Sequence, residues 1–558
     1  MSHTSCVLVA LALICPACAA RSNGAGAGPA ASVGTSAAIT EVDMRARVQL
    51  IADDSMHGRF TGSAGHVQVT TYLAGELGRL GLQPAGEDGT YFQAVPFVRR
   101  HLDGHDLSVD GERLEPGRDF VPIHPGGRPR PFDGAQVVFG GILEDTARQI
   151  GSEDAAGKFV ILVYGDPRNR AGNIRTARSG DRLGKAAAIA TVNPDGAMAG
   201  WRSGLSDPSP EYAGDDDPGA VRVGGFAITA HAAERLLGQP TDTAVPLGTL
   251  GGTVRGAVTF RAESLTVRNV AGVLPGRAAG RSVEYVALGA HSDHVPYRMT
   301  PGDHDSLRLF NALALEKQRE LGRPYLRAAE RAAITVNVDS LRALRPAHQD
   351  SIHNGADDDA SGTAALLEIA EALAARGARP ARSILFVWHA AEEAGLLGSR
   401  HFTDHPTVDR NAIVAQLNVD MIGRGGTGDL PEGGPGYLQL IGWRRLSTEL
   451  GDLIDDVNRA QPVPFTWDLQ YDTPGHAEQL YCRSDHYSYA RYGIPVAFFS
   501  TGLHVDYHQV TDEPQYLDYA KLARVTALVH DVTLALASRD DRPAVDGPVP
   551  DPRADCEQ

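Results

Sequence analysis

Four short apolar runs in the second half of the chain constrain its fold more than any other feature. They are EYVALGA at 284–290, SILFVWH at 383–389, IVAQLNV at 413–419 and PVAFF at 495–499. None alternates apolar with polar residues, so each reads as a strand buried on both faces. Between the first two runs, residues 361–376 read as a helix with Leu366, Ile369, Ala370 and Leu373 on one face. Continuous apolar strands alternating with helices predict an α/β fold, a mixed and mostly parallel sheet covered by helices on both faces.

The 558 residues allow several cores. Residues 41–95 carry a helical pattern, with Val69, Leu73, Leu77 and Leu80 on one stripe, and 41–104 read as the first part of the α/β unit. Residues 105–262 differ in texture: short β-like runs at 135–139, 158–164, 186–192 and 225–228 stand among Gly, Pro and Asp. They predict a separate β-rich module inserted into the α/β unit, which resumes over 263–537. A charged helical stretch at 304–345 interrupts that second part. Residues 538–558 are rich in Asp, Pro and Arg and are expected to be a disordered tail.

Hydrophobic residues make up 42% and charged residues 22%, a globular balance rather than a disordered one. The formal net charge of -17 argues against nucleic acid, which needs a basic face to neutralise phosphates. At the N-terminus, residues 7–14 form an apolar run too short to span a bilayer, followed by Ala17-Cys18-Ala19, an A-x-A cleavage pattern. Residues 1–19 therefore read as an export signal and 20–40 as a Gly, Ala and Ser tether. The product is expected to be periplasmic, extracellular or anchored at the cell envelope through a lipid on Cys18. Of five cysteines only Cys482 and Cys556 lie outside this region, so one bridge is possible and a Cys-rich zinc pattern is absent. Any metal must be held by His, Asp and Glu.

Those residues stand where the strands end. His291 follows the first run in HSDH, Glu392 and Glu393 follow the second in HAAEEAG, and Asp420 follows the third in LNVDMIG. His508 lies beyond the fourth in HVDYHQVTDE, and Asp357 opens the loop-to-helix segment in GADDDASG. Open α/β sheets bind ligands beyond the carboxyl ends of their strands. Taken singly, each motif has an ordinary reading: a surface pair, a helix cap, a solvated helix start. Taken together, they bring two imidazoles and four carboxylates to one edge. Neutral imidazole and carboxylate suit zinc. Two metals about 3.5–4 Å apart activate a water and polarise a carbonyl together. A further carboxylate must then take the proton, and adjacent glutamates can divide metal binding from base catalysis.

At these motifs the sequence resembles the co-catalytic zinc aminopeptidases of aminopeptidase Y type. The likeness runs from MHGRFTGSAG and LGRLGLQPAG to NGADDDASG, AAEEAGLLGS, RSDHYSYARYGIPVAFF and TGLHVDYHQVTDE. GKFVILVYG and KAAAIATVNPDG in the insert resemble the protease-associated domain often nested in that family. The resemblance implies a zinc exopeptidase fold, two zinc ions per chain and peptide substrates. It implies that His291, Asp357 and Asp420 hold one metal and that Asp357, Glu393 and His508 hold the other, with Asp357 shared. Glu392 would be the general base, Asp293 the carboxylate orienting His291, and Tyr507 an oxyanion donor. Spacing alone suggests that Asp512 orients His508. Asp485 and His486 lie in a family motif, as lining or as packing. Relatives on the same fold include carboxypeptidases and dipeptidases, for which Arg424 and Arg483 are candidate carboxylate clamps, as well as one-zinc glutaminyl cyclases and non-catalytic receptor-like scaffolds. The 304–345 stretch is longer than that family leads one to expect and is read as a cover, a partner surface or an inert insertion.

Overall fold

In the computed structural model, which describes residues 34–165, 182–193, 195–297, 300–323, 325–377 and 379–558, the four apolar runs become neighbouring strands. Ser383–His389, Tyr285–His291, Ile413–Val419 and Val496–Ser500 lie side by side and parallel. Arg268–Leu274 and Tyr437–Ile441 flank them antiparallel, and three shorter strands complete a nine-stranded mixed sheet. His291 and His389 are register partners, so the parallel strands end along one edge.

Both faces of this sheet are covered, which is why the runs lack alternation. Val286, Leu288, Ile384, Phe386 and Leu417 join the core beneath the helices Glu41–Ile51, Ala64–Arg79, Ala360–Ala374 and Tyr519–Ser538. Ala287, Leu385, Val387, Val496 and Phe498 face the other way, onto Phe402 and Tyr489 of the helices Leu397–Asp404 and His486–Ala490. Ala360–Ala374 is almost wholly buried. Its Asp359 cap accepts from the Gly362 N–H at 2.8 Å, and a Cβ at Gly362 would strike the Val419 carbonyl. Arg47, fully buried, joins three of these helices through Glu76, Glu368 and Glu371.

A second nine-stranded sheet is built from Phe97–Val109 through Leu250–Leu265, with Phe139, Phe159, Ile161 and Phe226 in a core of its own. The expected boundaries at 104/105 and 262/263 fall inside these two long strands. Both strands are half-exposed and paired with each other, so their apolar signal is diluted. Arg400 to Asp215 at 2.7 Å and Tyr212 to His401 at 3.0 Å join the two sheets' surroundings.

The tail at 538–558 is not the disordered segment its composition suggests. Helix Tyr519–Ser538 ends there, Asp546 accepts from the Thr448 N–H at 3.0 Å, and Gln558 donates to the Tyr471 carbonyl at 2.9 Å. Cys556 is disulfide-bonded to Cys482. The expected signal at 1–19, with Cys18, and residues 20–33 of the tether lie outside the described residues. No helix among the described residues is long and apolar enough to cross a membrane.

Candidate metal centre

Each strand end delivers one part of the site. His291 is the last residue of its strand, Asp420 follows Val419, and Glu392 and Glu393 stand three and four residues beyond His389. His508 sits in the loop after Val496–Ser500. Three non-glycine residues at these ends, Ala391, Met421 and His508, have φ between 55° and 59°. Left-handed backbone outside glycine costs about 1–3 kcal/mol per residue and concentrates where side chains must be aimed.

The three consecutive aspartates do three different things, and the one that faces both imidazoles is Asp358, not Asp357, to which the family likeness gave the shared place. Asp357 turns away: its Oδ1 accepts from the Gly423 N–H at 2.6 Å and its Oδ2 lies 3.4 Å from His504 Nε2. Asp359 is occupied by main-chain donors, from His291 at 3.1 Å and Gly362 at 2.8 Å. Asp358 points between the two imidazoles, with Oδ1 3.0 Å from His291 Nε2 and Oδ2 3.2 Å from His508 Nε2. Asp512 fixes this turn. Its carboxylate accepts from the N–H groups of Asp357 and Asp358 at 3.1 Å, and not from His508 as the spacing had suggested.

On one side of Asp358 stand His291 and Asp420, whose Oδ1 is 3.6 Å from His291 Nε2. Asp420 Oδ2 accepts from Ser484 Oγ at 2.8 Å. On the other side stand Glu393 and His508, 2.9 Å apart. His294, the second histidine of HSDH, adds an imidazole 2.8 Å from Glu393 Oε1. Buried atoms at this centre have no hydrogen-bond partner: Asp420 Oδ1, Glu393 Oε1, His508 Nε2 and both His294 nitrogens. Donor atoms that converge without bonding one another are the arrangement of ligands around cations. Asp293 reaches His291 through its main-chain oxygen, 3.1 Å from Nδ1, while its carboxylate accepts from Thr61 Oγ1 and the Glu392 N–H.

The electrostatics agree. Burial alone would raise Asp358, but His294, His291 and His508 hold it well below the usual carboxylate range. Burial alone would lower His508, but Asp358 and Glu393 raise it to about 10. The carboxylates that hold protons on these imidazoles are suited to hold divalent cations in their place. Glu392 behaves differently: burial, only partly offset by His291 and reinforced by Glu393 and Asp420, raises it well above its ordinary value.

Above the carboxylates lies a cleft. Asp358, Glu392 and Asp420 form its floor, Met421, Leu480, Phe498 and Leu503 its apolar wall, and Arg483 and Tyr507 part of its lining. The Tyr507 ring stacks on His508 with centroids 3.8 Å apart, and its hydroxyl is 3.5 Å from Arg483 Nη2. Asp485 and His486 are packing: Asp485 is buried 3.1 Å from His389 Nδ1, and His486 stacks on Phe498. Arg424 is also buried, held by Asp429 and Asp506.

Residues 337–533 match the sequence pattern of peptidase family M28. Asp358, Glu392, Glu393, Asp420 and His508 fall inside the M28 segment, while His291, Asp293 and His294 precede it. The chain is 30% identical over 171 residues to leupeptin-inactivating enzyme 1 of Streptomyces exfoliatus, covering 30% of this chain and 34% of that protein. It is 34% identical over 169 residues to leucine aminopeptidase 1 of Aspergillus oryzae, covering 27% of this chain and 40% of that protein. The chain thus spans well under two thirds of the length of these curated relatives. An aminopeptidase structure from Aneurinibacillus sp. strain AM-1 aligns over 91% of this chain and 96% of that one, at 18% identity and a TM-score of 0.48.

The stretch preceding the M28 segment braces it. Asp506, two residues before His508, is fully buried and accepts from Arg424 and Asn311 at 2.8 Å and from Arg308. Arg308 and Asn311 belong to helix His304–Leu321, whose far end reaches the carbonyls of Thr427 and Leu430 through Arg319. None of the cleft residues named above comes from 304–345; among the described residues its contacts buttress the His508 loop from the side. Asp506→Ala would leave the buried Arg424 guanidinium with Asp429 alone, at a cost below the about 3–5 kcal/mol of a buried pair broken outright. The expected result is a lower Tm together with a fall in turnover. Arg308→Ala should have a smaller effect on both, because Arg308 is a third exposed. Thermal unfolding followed on the two variants checks the order.

Proposed function

We propose that the chain is an exported metallo-aminopeptidase that holds two zinc ions and removes single residues from the N-termini of peptides. The observation that carries this reading is the Asp358 carboxylate, placed between a His291 and Asp420 pair and a Glu393 and His508 pair, with Glu392 beside it and a cleft above. His294 stands close to the second pair as a further candidate ligand. When bound, the two ions would polarise the scissile carbonyl and make a water between them more acidic.

The residues of the chain supply the rest. Glu392 Oε2 is 4.0 Å from His291 Nε2 and faces the cleft; it accepts the water's proton and delivers it to the leaving amine. Tyr507 directs its hydroxyl toward the oxygen on which negative charge develops. Met421, Leu480, Phe498 and Leu503 favour an apolar first side chain, and the carboxylates of the floor attract the free α-ammonium. The second sheet, read as a protease-associated domain, stands beside this unit. The Cys482–Cys556 disulfide supports an oxidising, exported setting.

Tyr507→Phe keeps the ring stacked on His508 and deletes only the hydroxyl. Loss of an oxyanion donor elsewhere costs about 100- to 1,000-fold in kcat. A fall of that size with KM and Tm nearly unchanged is expected; kcat near wild type would leave Tyr507 as packing. The activity itself is tested with three versions of one leucine-led peptide, free, N-acetylated and C-amidated, with the products weighed by mass spectrometry. Loss of the first residue from the free and C-amidated forms, and resistance of the N-acetylated form, is the expected outcome. Release of the C-terminal residue, with Arg483 as the clamp, would make the chain a carboxypeptidase. No cleavage by the zinc-loaded protein would favour a receptor-like role.

A further inference from the structure

A separate donor set lies at the root of the 304–345 stretch, away from the His291 and His508 centre. Gly302–Asp303 and Gln349–Asp350 pair antiparallel, so the two ends of the stretch meet. His304 and Asp350 are thereby brought together, and Glu513, in the loop after Asp512, comes against them. One donor atom from each of the three lies within 4.8 Å of the others. His304 is 3% exposed and its Nε2 has no hydrogen-bond partner. Its ring is confined by those of His348 at 5.0 Å and Tyr516 at 5.9 Å. Asn354 Nδ2 donates to both Glu513 Oε1, at 3.0 Å, and Asp54 Oδ1, at 2.8 Å. Burial, then Asp350 and Asp54, pushes Glu513 up to about 8, and no lysine or arginine is among the groups that most influence it.

A buried, unsatisfied imidazole nitrogen beside two carboxylates is chemically a ligand set; the cation nearby, Arg308, lies over the ring of Tyr516 and is spent on Asp506. The imidazole favours a zinc-class ion over calcium, which takes oxygen donors. Zinc bound at about 2.0–2.2 Å would need these donors drawn closer. Asp350 and Glu513 are only partly buried, so their side chains have room to move, while His304 stays fixed.

We propose that His304, Asp350 and Glu513 form a third divalent-metal site of the zinc class. It pins the root of the inserted stretch to the loop that carries Asp512, the residue that fixes the Asp357–Asp358 turn. Its role is structural, and it does not depend on the reading of the His291 and His508 centre.

The test uses the full chain, stripped with chelator and titrated with zinc chloride alone, with bound zinc counted by elemental analysis and Tm recorded. The wild type should bind one zinc more than the His304→Ala/Glu513→Gln double variant. The Glu513→Gln single variant should show the same loss if the double variant folds poorly. In an Asp358→Asn background the remaining site should still raise Tm, by about 5 °C at a hundredfold excess over Kd, and adding Glu513→Gln should abolish that rise. Equal zinc counts in wild type and Glu513→Gln, or no Tm response in the Asp358→Asn background, would overturn the proposal. Failure of the two-metal reading would appear separately, as an Asp358→Asn variant that binds as much zinc as wild type.

Discussion

Asp358→Asn should abolish turnover by removing the one carboxylate that faces both imidazoles. Its oxygens lie 3.0 Å from His291 Nε2 and 3.2 Å from His508 Nε2, so one substitution weakens both halves of the centre. Altering the outer partners of metal ligands costs about 10- to 100-fold in affinity. Removing a shared ligand should cost at least about 100-fold for each ion, measured by zinc titration of the stripped protein. Asp357→Asn is the matched control. Asn keeps an oxygen for the Gly423 N–H, and the side chain faces away from the imidazoles. It should retain both ions and most activity, with at most a moderate loss of stability. A variant pair behaving the other way round would restore Asp357 as the shared ligand.

Glu392→Gln should separate chemistry from binding. Glu392 is adjacent to Glu393 in sequence but not equivalent in space: Glu393 lies 2.9 Å from His508 Nε2, whereas Glu392 comes no nearer than 4.0 Å to His291 Nε2. Glutamine preserves the shape and the main-chain donation to Asp293 and removes only the basic oxygen. General acid–base catalysis contributes about 100- to 10,000-fold. A kcat loss in that range with two zinc ions retained is expected, while Glu393→Gln should lose zinc first. The decisive comparison is kcat against zinc content for the two variants side by side.

Much of this centre was legible in the sequence because sheet geometry does the assembling. Strands buried on both faces lose the two-residue alternation, and a polar residue directly after such a strand must lie at the sheet's edge. His291, Glu392, Glu393, Asp420 and His508 follow from that rule and the family likeness. What escaped was set by contacts distant in sequence. Three consecutive aspartates look alike locally; which one faces the imidazoles is decided by Asp512, which accepts from the 357 and 358 N–H groups, and by Gly423, which takes Asp357. His294 was visible in HSDH, yet its place beside Glu393 depends on the backbone path after His291. The tail at 538–558 has the composition of a loose end, and only the pairing of Cys556 with Cys482 and the docking of Gln558 tie it down.

The 304–345 stretch shows the same limit. It reads as a cover, a partner surface or an inert insertion, but Arg308 and Asn311 are spent on Asp506, next in sequence to Tyr507 and His508. Charge alone carries no direction; the partner appears only when the loop is folded against the helix.

In the proposed two-ion centre, Asp358 is the ligand the two ions share. Anomalous diffraction at the zinc edge, on crystals of the zinc-loaded protein, tests it most directly. Two neighbouring peaks are predicted, one in contact with His291 and Asp420, the other with Glu393 and His508, and both within bonding distance of Asp358. A single peak at this centre, or two peaks joined through Asp357, would contradict the account.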